Sequence, residues 1–202
     1  MVLEPLVIAK FGGSALGVDG VKIPIIIDRI RELRKKSKII CVFSAPLTNY
    51  EGKNMSMTDV AIRISKNYAS SNPVDIDILK TVYLEISNRY LSNTVRVNFE
   101  SELDRFNKIV LISLKQVAEN RRFVDVSRSR ILAYSGEMVI SSLMGYILRS
   151  NGIKSSSVNV NEWPIVTDDN FEAASFLLDE SKNQMNSLIK LVKENDVVCI
   201  GG

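Results

Sequence analysis

Short apolar runs and helical patterns alternate at the beginning of the chain. Leu6–Phe11 and Lys38–Phe43 are apolar runs of strand length, and from Val21 to Lys35 the apolar residues recur three and four positions apart. The pattern predicts a buried strand, a helix and a second strand, as in a parallel sheet covered by helices on both faces. The carboxyl ends of these strands would share one edge of the sheet, where sheets of this type bind their ligands.

The middle of the chain is helical in pattern. A polar stretch from Tyr50 to Met57 is interpreted as a mobile surface loop. Helices are then predicted over four segments, at about Thr58–Tyr68, Val74–Tyr90, Ser101–Ala118 and Asp125–Ser150. Their regular apolar spacing indicates a folded helical lobe, at about residues 58–150, that packs over the ligand-binding edge of the sheet.

The last part of the chain returns to strands. Ser155–Val160 is predicted as a strand, Ser181–Lys193 as a helix and Asp196–Ile200 as a third buried strand, which Gly201 and Gly202 follow. The sequence therefore predicts an α/β fold with three layers, in which an open, mostly parallel sheet is sandwiched between helices. Because a core strand and a glycine turn end the sequence, we expect the natural chain to continue beyond Gly202.

The composition is that of an ordinary globular protein and favours neither nucleic-acid nor membrane partners. Hydrophobic residues make up 46% of the 202 residues, charged residues 24%, and the net charge is only +3. No apolar run is expected to span a bilayer, and the N-terminus lacks the basic segment of a secretory signal. Cys41 and Cys199 fall in predicted strands and are expected to be free, buried thiols of a cytoplasmic protein.

The sequence contains no histidine. This excludes Ser-His and Cys-His nucleophilic catalysis, histidine metal sites and imidazole acid–base chemistry. Any catalysis must therefore use lysine, carboxylates, hydroxyls and backbone dipoles. Phosphoryl transfer fits these groups, because it depends mainly on positioning and charge neutralisation.

The first predicted strand ends in a candidate phosphate-binding turn, Lys10-Phe11-Gly12-Gly13-Ser14. A glycine turn between a strand and a helix exposes backbone N–H groups to an anion, and Lys10 adds a positive charge. The segment matches neither of the two common phosphate-binding motifs, and glycine pairs after strands are often simple turns. From the residues alone, both interpretations stay open.

Three further segments carry candidate site residues. Ser44 and Thr48 follow the second strand and would lie beside the glycine turn. Glu137 follows Gly136 in the last helical segment, where it either faces a ligand or begins a new helix after a break. The acidic turn Asp168–Asn170 suggests Mg²⁺, but it is equally typical of a solvated turn or a helix cap, and no metal ligand is assigned.

Four segments in this order resemble the motifs of the aspartate kinases, a branch of the amino-acid kinase superfamily. They are Lys10-Phe11-Gly12-Gly13-Ser14, the loop Ser44–Asn49, Tyr134-Ser135-Gly136-Glu137 and Thr167-Asp168-Asp169-Asn170-Phe171. The final segment Val197–Gly202 resembles the strand before the family's next glycine-rich loop. The resemblance covers essentially the whole chain and identifies residues 1–202 as the N-terminal, amino-acid-binding portion of such a catalytic domain.

The resemblance implies transfer of the γ-phosphoryl group of ATP, which would bring Mg²⁺, to the side-chain carboxylate of L-aspartate. The product would be 4-phospho-L-aspartate, on the route to lysine, threonine and methionine. Lys10 would neutralise charge on the transferred group, and Phe11–Ser14 would bind the phosphates of ATP. Thr48 and, as a weaker candidate, Ser44 would hold L-aspartate, and Glu137 would bind its ammonium group. The resemblance also implies a homodimer.

Departures from the family pattern leave two other functions open. The loop Ser44–Asn49 is short and contains Pro46, and Ser14-Ala15-Leu16 replaces the commoner Thr-Ser-Val. The family's later catalytic segment, nucleotide-base pocket and regulatory ACT domains have no counterpart, so we expect little kinase activity from residues 1–202 alone. The alternatives are another kinase of the superfamily, acting on glutamate or UMP, and a non-catalytic half-domain that binds aspartate or an anion.

Overall fold

The computed structural model describes residues 5–121, 125–159, 162–170 and 173–202. Within these ranges the strands are Leu6–Phe11 (β1), Lys38–Phe43 (β2), Leu47–Tyr50 (β3), Lys53–Ser56 (β4), Ser155–Ser157 (β5) and Val197–Gly201 (β6). The helices are Gly13–Leu16 (α1), Ile23–Leu33 (α2), Met57–Ala69 (α3), Ile78–Tyr90 (α4), Asn93–Asn120 (α5), Asp125–Ser135 (α6), Glu137–Ser150 (α7) and Leu178–Glu194 (α8). The predicted strands and helices are present, although Val160, at the predicted end of β5, lies outside the described residues.

In the described part of the chain, the main sheet has four parallel strands in the order β1-β2-β6-β5. Their register places Phe11, Phe43 and Gly201 side by side at the carboxyl ends of β1, β2 and β6. The predicted parallel sheet is confirmed. Three segments that are distant in sequence therefore meet at one edge of the sheet.

Helices cover both faces of the sheet. On one face, Ile39, Cys41 and Phe43 of β2 belong to a core cluster that includes residues of α2 and α7. On the other face, Ile40 of β2 and Val198 of β6 pack with residues of α8. This is the predicted three-layer architecture, with the sheet between helices.

The first strand differs from its prediction as a buried strand. Among the described residues β1 pairs only with β2 and forms an edge of the sheet. Leu6, Ile8 and Lys10 share one face of β1, on which Leu6 is 51% and Ile8 is 70% exposed. An apolar run predicts a strand, but it does not specify which neighbouring elements cover that strand.

The polar stretch Tyr50–Met57 also differs from its prediction as a mobile loop. Leu47–Tyr50 and Lys53–Ser56 pair as an antiparallel hairpin. Glu51 and Gly52 form its turn with φ angles of 49° and 76°, and two positive φ angles suit a two-residue hairpin turn. The polar residues of this segment predict a loop rather than strands, because a short hairpin needs little apolar surface of its own.

The helical lobe, α3–α7, packs on the sheet through α7, which contacts β2, β5 and β6. The predicted helix Asp125–Ser150 is interrupted at Gly136, whose φ of −128° and ψ of −106° are not helical. The interpretation of Gly136 and Glu137 as a helix junction is therefore confirmed. The junction places the beginning of α7 at the carboxyl edge of the sheet.

One helical stretch has the length and hydropathy of a membrane span, contrary to the expectation from the sequence. An 18-residue window within Val126–Ser150 has a mean hydropathy of 1.4. However, 72% of this window is buried inside the protein. Such burial is typical of a core helix in a folded domain.

Cys41 of β2 and Cys199 of β6 are neighbours in the sheet and are free, fully buried thiols, as predicted. Burial raises the pKa of Cys41 to about 12, and it raises the pKa of Cys199 well above its ordinary value. Both residues therefore stay protonated at neutral pH and act as small core side chains rather than as nucleophiles.

Candidate active site at the carboxyl ends of the strands

Three glycines allow the segments at this edge to approach one another closely. A Cβ atom on Gly13 would lie 2.5 Å from the carbonyl oxygen of Ala45, and one on Gly136 would lie 3.5 Å from the Ala45 Cβ. A Cβ atom on Gly201 would lie 2.7 Å from the Cβ of Glu137. The glycine turn, the loop after β2, the helix break and the end of β6 are thus in direct contact.

Backbone hydrogen bonds join the strand ends. The N–H of Ser44 donates to the carbonyl of Phe11 at 3.1 Å, and the N–H of Gly202 donates to the carbonyl of Phe43 at 3.0 Å. The Ser44 hydroxyl also donates to the carbonyl of Gly202 at 2.7 Å. The hydroxyl hydrogen of Ser44 is therefore already bonded to the residue that follows β6. The contact of Ser44 with substrate stays a prediction.

The glycine turn presents an open side and an unpaired cation. Gly12 immediately precedes α1 and has an extended backbone, and a Cβ atom placed on it would find no atom within 4 Å. Lys10 is exposed, and its ammonium group makes no hydrogen bond or ion pair with any described residue. Phe11 points to the opposite face, where its ring stacks on that of Phe43 at a centroid distance of 5.5 Å. The arrangement leaves Lys10 available to an anion.

Alanine substitutions of the two glycines should affect stability differently. Gly13→Ala should lower the free energy of unfolding by about 2 kcal/mol, because its Cβ would overlap the Ala45 carbonyl. Gly12→Ala should stay within about 1 kcal/mol of the wild type, since its φ of −70° is one that alanine adopts easily. Urea unfolding of both variants measures the difference. Equal destabilisation would contradict the close contact between Gly13 and Ala45.

Glu137 begins α7 and is partly buried in a cleft of about 490 Å³. Its Oε1 atom accepts a hydrogen bond from the Thr58 hydroxyl at 3.4 Å. Trp163, Gly201 and Arg130 also line the cleft, and the Arg130 guanidinium makes no ion pair with any described residue. The cleft therefore offers a carboxylate and a guanidinium, which are the two charges that a zwitterionic amino acid requires.

Tyr83 of α4 supports the helix break that precedes Glu137. Its fully buried hydroxyl donates to the carbonyl of Ser135 at 2.8 Å and lies 3.3 Å from the carbonyl of Gly136. Burial and, to a lesser extent, the negative charge of Glu137 raise the pKa of Tyr83 well above its ordinary value. The hydroxyl therefore remains a donor at neutral pH, and it holds the backbone from which Glu137 extends.

Replacing Tyr83 with phenylalanine should lower the free energy of unfolding by about 1–3 kcal/mol, because the buried carbonyls at the break lose their donor. The matched control is Tyr90→Phe, which removes a half-buried hydroxyl that donates to the Gly20 carbonyl at 3.0 Å. Urea unfolding should show a smaller loss for this control. A loss in Tyr83→Phe no greater than in Tyr90→Phe would contradict a role for Tyr83 at the break.

The structure brings some of the predicted site residues together and leaves others apart. The backbone segments that carry Lys10, Ser44 and Glu137 meet at the same edge of the sheet. Thr48 is only 3% exposed and lies in β3. Neither Lys10 nor Thr48 lines the cleft beside Glu137. The functional roles of all these residues stay predictions.

Three residues near Glu137, namely Thr58, Tyr83 and Arg130, carry no signal in the sequence. Thr58 lies at the beginning of a predicted helix, but Ser56 caps α3 by accepting the N–H of Asp59 at 3.1 Å, which leaves the Thr58 hydroxyl for Glu137. Tyr83 and Arg130 occupy ordinary positions of helical patterns. Because their contacts with the site join residues far apart in the chain, no local signal could have identified them.

The Asp168 side chain organises the acidic turn by hydrogen bonds with described residues. The Asp168 Oδ1 atom accepts from the N–H of Ser175 at 3.0 Å and from that of Asn170 at 3.2 Å, and the hydrogen bonds lower the pKa of Asp168. Within the described ranges, no three Asp, Glu or Cys side chains lie close enough to share a metal ion. Phe171, which completes the sequence motif, lies outside the described residues.

The sequence profile of the amino acid kinase family matches residues 5–202. The chain belongs to this family. The fold of this amino acid kinase is similar to that of E. coli aspartokinase III, whose crystal structure is a complex with aspartate and ADP in the R-state. The TM-score is 0.69 at 15% sequence identity, and the match covers 96% of this chain and 40% of the aspartokinase III chain. A comparison with curated protein sequences finds no significant match.

Proposed function

We propose that this amino acid kinase transfers the γ-phosphoryl group of ATP to the side-chain carboxylate of L-aspartate, forming 4-phospho-L-aspartate. The proposal rests on Glu137, a carboxylate held by Thr58 in a cleft at the edge where the Lys10 strand also ends. An amino-acid substrate needs an anion for its ammonium group, whereas UMP has no such group. Arg130, in the same cleft, supplies a cation for the α-carboxylate.

The motif residues have separate roles in the proposed reaction. Lys10 neutralises the negative charge on the transferred phosphoryl group, and the backbone N–H groups of Phe11–Ser14 bind phosphate oxygens. Glu137 binds the ammonium group of L-aspartate, and Thr48, with Ser44 as the weaker candidate, would help to hold the substrate. The substrate carboxylate attacks the γ-phosphorus directly and ADP leaves, so the reaction needs no protein nucleophile and no histidine.

ATP is proposed as the phosphoryl donor because the similar aspartokinase III was crystallised with ADP. We propose that Mg²⁺ enters bound to ATP. Residues 1–202 would form the amino-acid-binding portion of the catalytic domain. The homodimer, the cytoplasmic location and a place in lysine biosynthesis belong to the same proposal.

Substrate-dependent ADP release by the natural full-length protein tests the proposal. L-Aspartate should support turnover, L-glutamate and UMP should not, and hydroxylamine should trap the acyl phosphate as aspartyl hydroxamate in amounts equal to ADP. Turnover with only glutamate or UMP would assign a different acceptor. Binding of aspartate without ADP release would favour the non-catalytic half-domain. Residues 1–202 alone should form little hydroxamate, and substantial turnover would contradict that expectation.

A further inference from the structure

A second cavity, of about 350 Å³, lies between α5, α7 and the end of β5. It shares Tyr134 and Met138 with the cleft beside Glu137, but its lining includes neither Glu137 nor the glycines at the strand ends. None of the residues assigned to phosphoryl transfer lines this second cavity. The proposed phosphoryl transfer therefore does not account for the residues that line this cavity.

Ser142 of α7 lines the second cavity and lacks a hydrogen-bond partner. Its side chain is 2% exposed, and its Oγ atom makes no hydrogen bond with any described residue. The adjacent Ser141 satisfies its hydrogen bond within the same helix, because its hydroxyl donates to the Met138 carbonyl at 3.1 Å. A buried hydroxyl without a partner is unfavourable, so Ser142 indicates a polar ligand group in the cavity.

Charged side chains of both signs line the same cavity. Arg105 of α5 makes no ion pair with any residue in the described ranges. Two carboxylates accompany it: Glu102, which accepts from the Tyr146 hydroxyl at 3.2 Å, and Glu162. The remaining lining is largely apolar and includes Phe106, Ile109, Met138 and Val158.

We propose that the second cavity binds a small zwitterion with an apolar side chain, of the class of the aliphatic α-amino acids. Arg105 pairs with the carboxylate of this ligand, and Glu102 or Glu162 pairs with its ammonium group. The Ser142 hydroxyl forms a hydrogen bond with either the carboxylate or the ammonium group of the ligand. The apolar residues of the lining contact the side chain. The volume lies at the lower end of the range for ligand pockets, which suits a molecule of this size.

The lining also argues against acidic ligands. The two carboxylates outnumber the one guanidinium, so a second negative charge on the ligand would be repelled. L-Aspartate therefore belongs to the cleft beside Glu137 rather than to this cavity. The new site does not depend on which substrate the kinase phosphorylates.

Titration calorimetry of this chain with L-leucine tests the proposal. Three analogues each lack one feature: 4-methylpentanoate lacks the ammonium group, isopentylamine lacks the carboxylate, and glycine lacks the apolar side chain. L-Leucine should bind saturably in the millimolar range or tighter, and each analogue should bind about tenfold more weakly or less. Absence of saturable L-leucine binding, or equal binding of all four compounds, would overturn the proposal.

Variants of the lining locate the binding. Arg105→Gln should weaken L-leucine binding about tenfold, whereas Lys108→Gln, an exposed cation three residues further along α5, should leave it unchanged. Ser142→Ala should weaken binding about threefold or more, while its thermal midpoint without ligand does not fall, because an unpaired hydroxyl is removed. Unchanged affinity in Arg105→Gln, or an equal loss in Lys108→Gln, would overturn the assignment to this cavity.

Discussion

Replacing Lys10 with methionine should lower kcat for phosphoryl transfer about a thousandfold in the full-length kinase, because charge on the transferred group loses its cation. The fold should be unaffected, since the exposed Lys10 side chain makes no hydrogen bond or ion pair with any described residue. Steady-state ADP release with saturating L-aspartate and ATP measures kcat. Thermal unfolding of the same preparation measures stability.

Lys53→Met is the matched control for the Lys10 variant. Lys53 is also an exposed lysine in a strand, but β4 lies in the hairpin rather than in the main sheet. This variant should retain the wild-type kcat. A Lys10→Met enzyme with a kcat close to that of Lys53→Met would remove Lys10 from the proposed mechanism.

Replacing Glu137 with glutamine should raise KM for L-aspartate about a hundredfold, with a smaller effect on kcat. The ammonium group of the substrate would lose its counter-charge, and breaking one side of a charged pair costs about 2–5 kcal/mol. Glutamine keeps the size of the side chain and a carbonyl oxygen that can accept from the Thr58 hydroxyl. Initial rates over a range of L-aspartate concentrations at saturating ATP separate KM from kcat.

Two further variants show whether the charge of Glu137 itself is responsible. Glu85→Gln removes an exposed carboxylate of α4 and should leave KM unchanged. Thr58→Val removes the hydroxyl that holds Glu137, and it should raise KM by less than Glu137→Gln does. If Glu137→Gln lowers kcat and leaves KM unchanged, Glu137 acts on the reacting groups and not on substrate binding.

The order of strands and helices could be predicted because it depends on local pattern. Lys38–Phe43 is apolar at nearly every position, as a strand buried on both faces requires, and it is the buried strand β2. The break at Gly136 could be predicted for a similar reason, since glycine is costly within a helix. The family resemblance rests on short motifs, and the match to the amino acid kinase family over residues 5–202 confirms it at that level.

Features that depend on neighbours were predicted less well. The hairpin Leu47–Ser56 is held by pairing between two polar strands, and polar residues alone indicate a loop. Ile8 is as apolar as Ile40 of β2, yet it is exposed because the described residues of α8 pack on β2 and β6 and not on β1. In both cases the structure of the segment depends on the elements that pair with it or pack against it.

The candidate site shows the same division between local pattern and packing. The residues themselves indicate its candidate chemistry: a lysine before two glycines, a glutamate after a helix break and no histidine anywhere in the chain. Only the packed structure brings Gly13, Ala45, Gly136 and Gly201 into contact, and only there do Thr58 and Tyr83 reach the Glu137 segment. Such contacts form between segments separated by many residues, so they depend on the register of the sheet and the packing of α7 rather than on any local sequence.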